Sequence, residues 1–202
     1  MAAKRKKKAA VKAKSRAKKP VKKAAKKVAK KAAKKTAKKT TKKAAQKPSI
    51  TSLAGKQAPA FSMLTDEGKT VTLKDFAGKR VVLYFYPKDD TPGCTTEACA
   101  FRDLVPAFDN MDAVVLGVSK DNVASHKRFR VKYKLNFPLA SDTSGVAEKY
   151  GVWKEKNMYG RKYMGVERST FLIDENGVVR AEWRKVSVAG HADEVKNALQ
   201  SL

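Results

Sequence analysis

The sequence after Pro48 predicts an α/β protein, a sheet covered by helices on both faces. Two observations carry that class. VVLYFY at 81–86 and AVVLGVS at 113–119 are continuous apolar runs suited to buried strands, and helical patterns alternate with them. A third, the pair STFLID and VVRAEW around the turn ENG, adds a hairpin near the end of the chain.

The elements follow in order. FSML (61–64) and TVTL (70–73) flank the turn residues DEGK and predict a short hairpin. VVLYFY is then the buried central strand. A helix is expected from about Pro92 through the apolar positions Ala98, Phe101, Leu104, Val105 and Phe108. AVVLGVS is the next strand, and Asp121 and Asn122 are candidate caps for the basic helix VASHKRFRVKY. FPLASD, a short helix in SGVAEKYG, the terminal hairpin and a last helix from about Asp193 complete the order. Ligands of such sheets lie at the carboxyl ends of the strands.

Charge divides the chain in two. Of the formal +27, residues 1–47 hold +23, from 21 Lys, 2 Arg and no acid, while the other 155 residues carry 23 basic against 19 acidic side chains. From Lys22 to Ala45 the text is six tetrads, KKAA KKVA KKAA KKTA KKTT KKAA, between Pro20 and Pro48. At ~100° per residue a four-residue repeat drifts ~40° per tetrad, so no lasting apolar face forms. Residues 1–48 are therefore expected to be a disordered basic tail, kept open by its own repulsion, and 49–202 a single folded domain. No apolar run approaches the ~18 residues that cross a bilayer, and no secretory signal is apparent. The expectation is a cytoplasmic protein with no membrane association.

The only two cysteines, Cys94 and Cys99, lie in YPKDDTPGCTTEACAFRD (86–103). Cys94 stands where a strand has ended and a helix begins, so unpaired N–H groups and the positive end of the helix dipole point at its sulfur. A free cysteine of pKa ~8.5 is only a few per cent ionised at neutral pH, and a helix start favours the thiolate. Position alone leaves two readings equally open, a nucleophile and a small buried hydrophobe. The C-x4-C spacing excludes a CxxC dithiol and supplies only two metal ligands. His126 and His191 lie far off on helices expected to be solvated, so both are read as surface residues and no metal is expected. Flavin, nicotinamide and haem motifs are absent, and no cofactor is expected.

The string Pro87-x-x-x-Thr91-x-x-Cys94 matches the P-x-x-x-T-x-x-C signature of peroxiredoxins. YFYPKDDTPGCTTEACAFRD, followed by FPLASD, GVW and ERSTFLID in this order, resembles the peroxiredoxin Q subgroup, also called bacterioferritin comigratory protein, over about residues 50–202. The resemblance implies a thioredoxin-like fold, a central mixed sheet flanked by helices, and thiol-dependent reduction of hydroperoxides. It implies that Cys94 is the peroxidatic thiol, that Cys99 is the resolving thiol, that Arg168 is the active-site arginine and that Pro87 shields the back of the thiolate. Physical reasoning supports the same set. In-line attack on the distal peroxide oxygen puts charge on the leaving oxygen, so donors must converge there. The Thr91 hydroxyl, the backbone N–H groups of Gly93 and Cys94, and the two-pronged Arg168 guanidinium are suitable. Glu97, one turn after Cys94, either holds Arg168 or is simply the acid that a helix start prefers. Trp153, Trp183 and Phe101 are expected to be packing residues.

Attack leaves a sulfenic acid on Cys94 that a neighbouring thiol can condense with. On an intact helix residues five apart are separated by roughly 8.7 Å at Cα, beyond the ~7 Å a disulfide bridges. The turn after Cys94 must therefore unwind, and the β-branched Thr95 and Thr96 make that less costly. Thioredoxin or a similar dithiol protein is the expected reductant, and a monomer is the expected state. The lysine–alanine tail resembles histone H1 tails. Its charge would attract DNA without reading sequence, tethering the protein to the nucleoid, or to chromatin in a nucleus. The rival reading is a histone-like DNA-binding protein whose folded part is a redox-sensing passenger.

Overall fold

The computed structural model describes residues 52–202, so the basic tail and its expected disorder lie outside the described residues. Strands β1 (Ser62–Thr65) and β2 (Thr70–Thr72) form the first hairpin, with Met63 opposite Val71. A 3-10 turn, Leu73–Phe76, follows, begun by the Asp75 carboxylate accepting from the backbone N–H and hydroxyl of Thr72. β3 (Arg80–Phe85), α1 (Pro92–Asp109), β4 (Ala113–Ser119) and α2 (Val123–Tyr133) come next, then β5 (Leu139–Ser141) and the single-turn α3 (Val146–Lys149). The chain continues through β6 (Trp153–Met158), β7 (Arg161–Val166), β8 (Ser169–Ile173), β9 (Val179–Arg184) and α4 (His191–Gln200).

Seven strands make one mixed sheet in the order β2-β1-β5-β4-β3-β8-β9. β3 pairs in parallel with β4, and β4 with β5, while β8 runs antiparallel between β3 and β9. The period-2 alternation of β3 divides its side chains between two cores. Val81, Leu83 and Phe85 join Phe61, Leu116, Tyr150, Phe171 and Ile173 on one face, under α3 and the N-terminal segment. Val82, Tyr84 and Tyr86 join Phe101 and Phe108 of α1, Phe129 of α2, and Val195 and Leu199 of α4 on the other. Helices thus cover both faces, as expected, and truncating a buried ring such as Phe101 should cost about 3–5 kcal/mol. No helix among the described residues is long and apolar enough to cross a membrane.

Three expectations need correcting. Both histidines are buried, His126 at 0 % exposure and His191 at 2 %. His126 shares the inner side of α2 with Phe129, three residues on, and its Nδ1 lies 3.0 Å from the buried Asp89 carboxylate, which supplies the polar partner that burial requires. His191 opens α4 two residues earlier than Asp193, and its Nε2 meets the Thr170 hydroxyl at 2.7 Å. Of the two candidate caps only Asn122 caps α2, its side chain accepting from the Ser125 N–H, whereas the Asp121 carboxylate accepts from the Asp89 N–H and the Ser119 hydroxyl.

The hairpin β6–β7 was not anticipated. It forms its own two-stranded sheet, and its strands carry charged residues on both sides, so neither apolar alternation nor a run betrays it. Its turn, Tyr159–Gly160, has positive φ at both residues, the pattern of a tight two-residue hairpin loop, and was the one available signal.

Candidate active site

The site grows from the end of β3. Phe85 pairs with Ser169, so the antiparallel register carries Arg168, one residue before β8, alongside the point where the chain leaves β3. Tyr86 stays buried, Pro87 is exposed, and the chain turns through Lys88–Asp90 with Asp90 in the left-handed region at φ 55. Two elements of α2 hold this turn. Asp89 accepts from the Tyr86 hydroxyl at 2.7 Å and from His126, and Asp90 accepts from Lys132 Nζ at 2.7 Å. Burial alone would raise the Asp89 pKa, but hydrogen bonding to and the charge of His126 hold it below the ordinary carboxylate value.

Thr91 is the extended N-cap residue of α1 and Pro92 its first helical position, a place where the missing N–H is no loss. The Thr91 side chain does not cap the helix. Its hydroxyl donates to the Lys88 carbonyl at 3.1 Å, and the N–H groups of Gly93 and Cys94, in the first turn, have no acceptor within the helix. Those donors and the helix dipole therefore remain available at the helix start that carries Cys94.

Cys94 is 2 % exposed. Arg168 Nη2 donates to its Sγ at 3.1 Å, and Arg168 Nη1 is paired with the Glu97 carboxylate. Of the two readings for Glu97 the structure selects the one in which it holds Arg168. The carboxyl is buried, and that burial, opposed only in part by the guanidinium, pushes its pKa up to about 7. Burial works against the charge on Arg168 too, but Glu97 and Cys94 beside it raise its pKa overall. Burial thus disfavours the charge on Glu97, and Glu97 Oε1 has no protein partner. Cys99 lies one and a half turns along the same intact helix, half-buried, and both cysteines are free thiols.

Of the expected residues, Gly93, Cys94, Glu97 and Arg168 come together, whereas the Thr91 side chain turns to the Lys88 carbonyl, Pro87 sits exposed at the start of the turn, and Cys99 stands apart on α1. Phe101, Trp153 and Trp183 pack in or against the two cores. Sequence reasoning missed the Asp89–His126 pair, which needed the tertiary contact of α2 with the turn, and Lys156, which belongs to the unanticipated hairpin. Lys156 Nζ donates to the Val166 carbonyl at 2.6 Å; burial lowers its pKa, as does Arg168, against Glu167 and Cys94. Among the described residues no three His, Cys, Asp or Glu side chains converge as metal ligands.

A buried cysteine at a helix start, faced by an arginine fixed on a carboxylate within a mixed sheet, is the arrangement of a thiol peroxidase with a thioredoxin-like fold. Comparison with known proteins agrees. The AhpC/TSA family matches residues 54–182. The putative peroxiredoxin bcp of Coxiella burnetii is 55 % identical over 146 residues, 72 % of this chain and 97 % of that one. Peroxiredoxin Bcp of Bacillus subtilis is 52 % identical over 149 residues, 73 % and 93 % of the two chains. A solved structure of the bacterioferritin comigratory protein of Xanthomonas campestris, trapped as an intermediate/ligand complex bearing on its alkyl peroxide reduction, has 48 % identity. It covers 70 % of this chain and 90 % of its own with a TM-score of 0.67. The chain belongs to the AhpC/TSA family and, within it, to the Bcp or peroxiredoxin Q branch of thiol-dependent peroxidases.

Proposed function

We propose that this chain reduces hydrogen peroxide and alkyl hydroperoxides with Cys94 as peroxidatic and Cys99 as resolving thiol, and that a thioredoxin-like dithiol protein regenerates it. The observation that carries this reading is the 3.1 Å contact of Arg168 Nη2 with Cys94 Sγ in a guanidinium whose other arm is held by Glu97. The thiolate sulfur attacks the distal oxygen in line, a sulfur–oxygen bond forms as the O–O bond breaks, and the leaving alkoxide or hydroxide takes a proton from water to give alcohol or water. Arg168 and the Gly93 and Cys94 N–H groups face the charge that develops on the two oxygens, and the Thr91 hydroxyl joins them by exchanging its bond to the Lys88 carbonyl for one to the peroxide. Pro87, with no N–H of its own, closes the turn behind the sulfur.

Cys94 is left as a sulfenic acid. Once the first turns of α1 unwind, the Cys99 thiol displaces water from it and a disulfide forms. An external dithiol then reduces the disulfide, becoming a disulfide itself. Residues 49–202 act as the catalytic domain, as a monomer, and residues 1–47 hold it on DNA in the cytoplasm by phosphate contacts.

The test is peroxide consumption coupled to thioredoxin and its reductase, by the intact chain and by a chain starting at Ser49. Both should turn over at similar rates. Cys94→Ser should abolish turnover, and Cys99→Ser should allow one oxidation per chain and then stop, with sulfinic acid accumulating on Cys94. Turnover surviving in Cys94→Ser would overturn the mechanism. Multiple turnovers in Cys99→Ser would move the resolving role to another thiol, and absence of activity in both chains would favour the histone-like reading.

A further inference from the structure

In-line displacement fixes where a substrate's substituent must go. The attacked oxygen sits at Sγ and the oxygen bearing the substituent lies beyond it, so the substituent points away from the buried sulfur toward the exposed side of the site. Gly93 is exposed there. A side-chain carbon at Gly93 would stand 3.5 Å from Arg168 Nη2, the nitrogen that touches Cys94, and 3.9 Å from Val188 Cγ2, with no other atom so near apart from its chain neighbours and its own helix backbone. The missing side chain thus leaves the guanidinium open to a substrate oxygen, and Val188 is the apolar group next to that opening.

Val188 is held in place by the strand that carries Arg168. The Val186 N–H donates to the Arg168 carbonyl at 3.0 Å, after a bend at Lys185, which is left-handed at φ 49. On the other side the His191 N–H donates to the Val188 carbonyl at 3.3 Å. The His191 ring is locked by the Thr170 hydroxyl and lies edge-on to Phe101 and Trp183. Thr170 lies in β8, two residues after Arg168, which immediately precedes the strand. The segment 185–190 is therefore tied at both ends to the neighbourhood of Arg168, which also accounts for the burial of His191.

We propose that Val188 is a specificity-determining residue, an apolar rim beside the opening at Gly93 that contacts the substituent of alkyl and aryl hydroperoxides and that hydrogen peroxide does not reach. The inference rests on Cys94 being the peroxide-reducing thiol.

The test uses the full chain, dithiothreitol as reductant, and hydrogen peroxide, tert-butyl hydroperoxide and cumene hydroperoxide as substrates. Val188→Ala should lower kcat/KM for the two organic peroxides by roughly tenfold, the low end of what one methylene of apolar contact provides in discrimination, through KM rather than kcat. Its rate with hydrogen peroxide should stay within about twofold of the parent, a barrier change well below the tenfold step. Val188→Ile should retain the organic-peroxide rates, and partial misfolding of any variant would scale all substrates alike and leave the ratio untouched. An unchanged ratio in Val188→Ala, or a rise in the organic-peroxide rates, with hydrogen peroxide still reduced, would overturn the role of Val188 alone. Failure of the parent to reduce hydrogen peroxide, or survival of the activity in Cys94→Ser, would overturn this inference together with the function on which it rests.

Discussion

Arg168 and Glu97 divide the work at the sulfur. Arg168 supplies a fixed two-pronged donor, one nitrogen on Cys94 and the other on Glu97, which a lysine's single ammonium cannot reproduce. Arg168→Lys should therefore cost at least tenfold in kcat/KM for hydrogen peroxide, about 1.4 kcal/mol in the barrier, while the thermal midpoint moves little. A loss under twofold in stopped-flow oxidation of Cys94 would reduce Arg168 to a structural partner. Glu97 gives a pH signature. Its carboxyl is held near pKa 7 in the fold against an ordinary 4.5, so between those values the folded chain keeps a proton that the unfolded chain has released. Stability should accordingly fall as pH rises from about 4.5 to about 7, and level off above. Glu97→Gln should flatten that part of the curve in urea unfolding series at pH 5 and pH 8, and an unchanged slope would refute the burial argument.

At the level of elements, the proposed cycle sets opposite requirements on the start of α1. In that cycle the first turn is intact while its N–H groups serve Cys94, and it melts when Cys99 resolves the sulfenic acid. The sequence weakens that turn. Thr95 and Thr96 are mediocre helix formers, and the Thr96 hydroxyl bonds back to the Pro92 carbonyl at 3.0 Å, a contact that loosens helices. Farther along, fully buried Phe101 and the bond from Arg102 Nη1 to the Tyr133 carbonyl at 2.8 Å fasten α1 to the core and to α2. Melting is confined between these anchors and the turn that α2 grips through Asp89 and Asp90. Replacing both threonines by alanine should stabilise the turn by about 1 kcal/mol and slow disulfide formation roughly fivefold, with the preceding oxidation unaffected. Rapid-quench measurement of the disulfide after one equivalent of peroxide checks it, and an equal or faster rate would mean that unwinding does not limit resolution.

The whole chain joins a nearly neutral catalytic domain to a segment with 23 basic residues and no acid. If the segment neutralises phosphates, binding to duplex DNA should ignore sequence and weaken steeply with salt, with a log–log slope near −0.9 per phosphate contacted. Deleting residues 1–47 should abolish the binding and leave peroxide turnover as it was. Gel-shift titrations at two salt concentrations test this, and equal binding by the shortened chain, or none by the intact one, would remove the tether. A tethered peroxidase would consume peroxide beside DNA.

Sequence by itself determined what depends on near neighbours in the chain. The apolar runs of β3 and β4, the start of α1 at Pro92 and the Asn122 cap of α2 are each written in a few consecutive residues, because strand and helix periods and capping are local physics. The placement of Cys94 at a helix start is local in the same sense, and the signature around it is what singles that thiol out as the proposed nucleophile. Contacts between distant segments were decided only by the tertiary structure. Arg168 is 74 residues from Cys94, and it arrives there because the antiparallel register sets Ser169 beside Phe85. The burial of His126 and His191 follows from partners 37 and 21 residues away, Asp89 and Thr170, which no helical pattern announces. The β6–β7 hairpin, a local pairing, was hidden for want of an apolar pattern, and the proposed Val188 rim because its neighbours are distant in sequence. The residues of that rim are scattered in sequence, and only the fold sets Val188 beside Gly93 and Arg168.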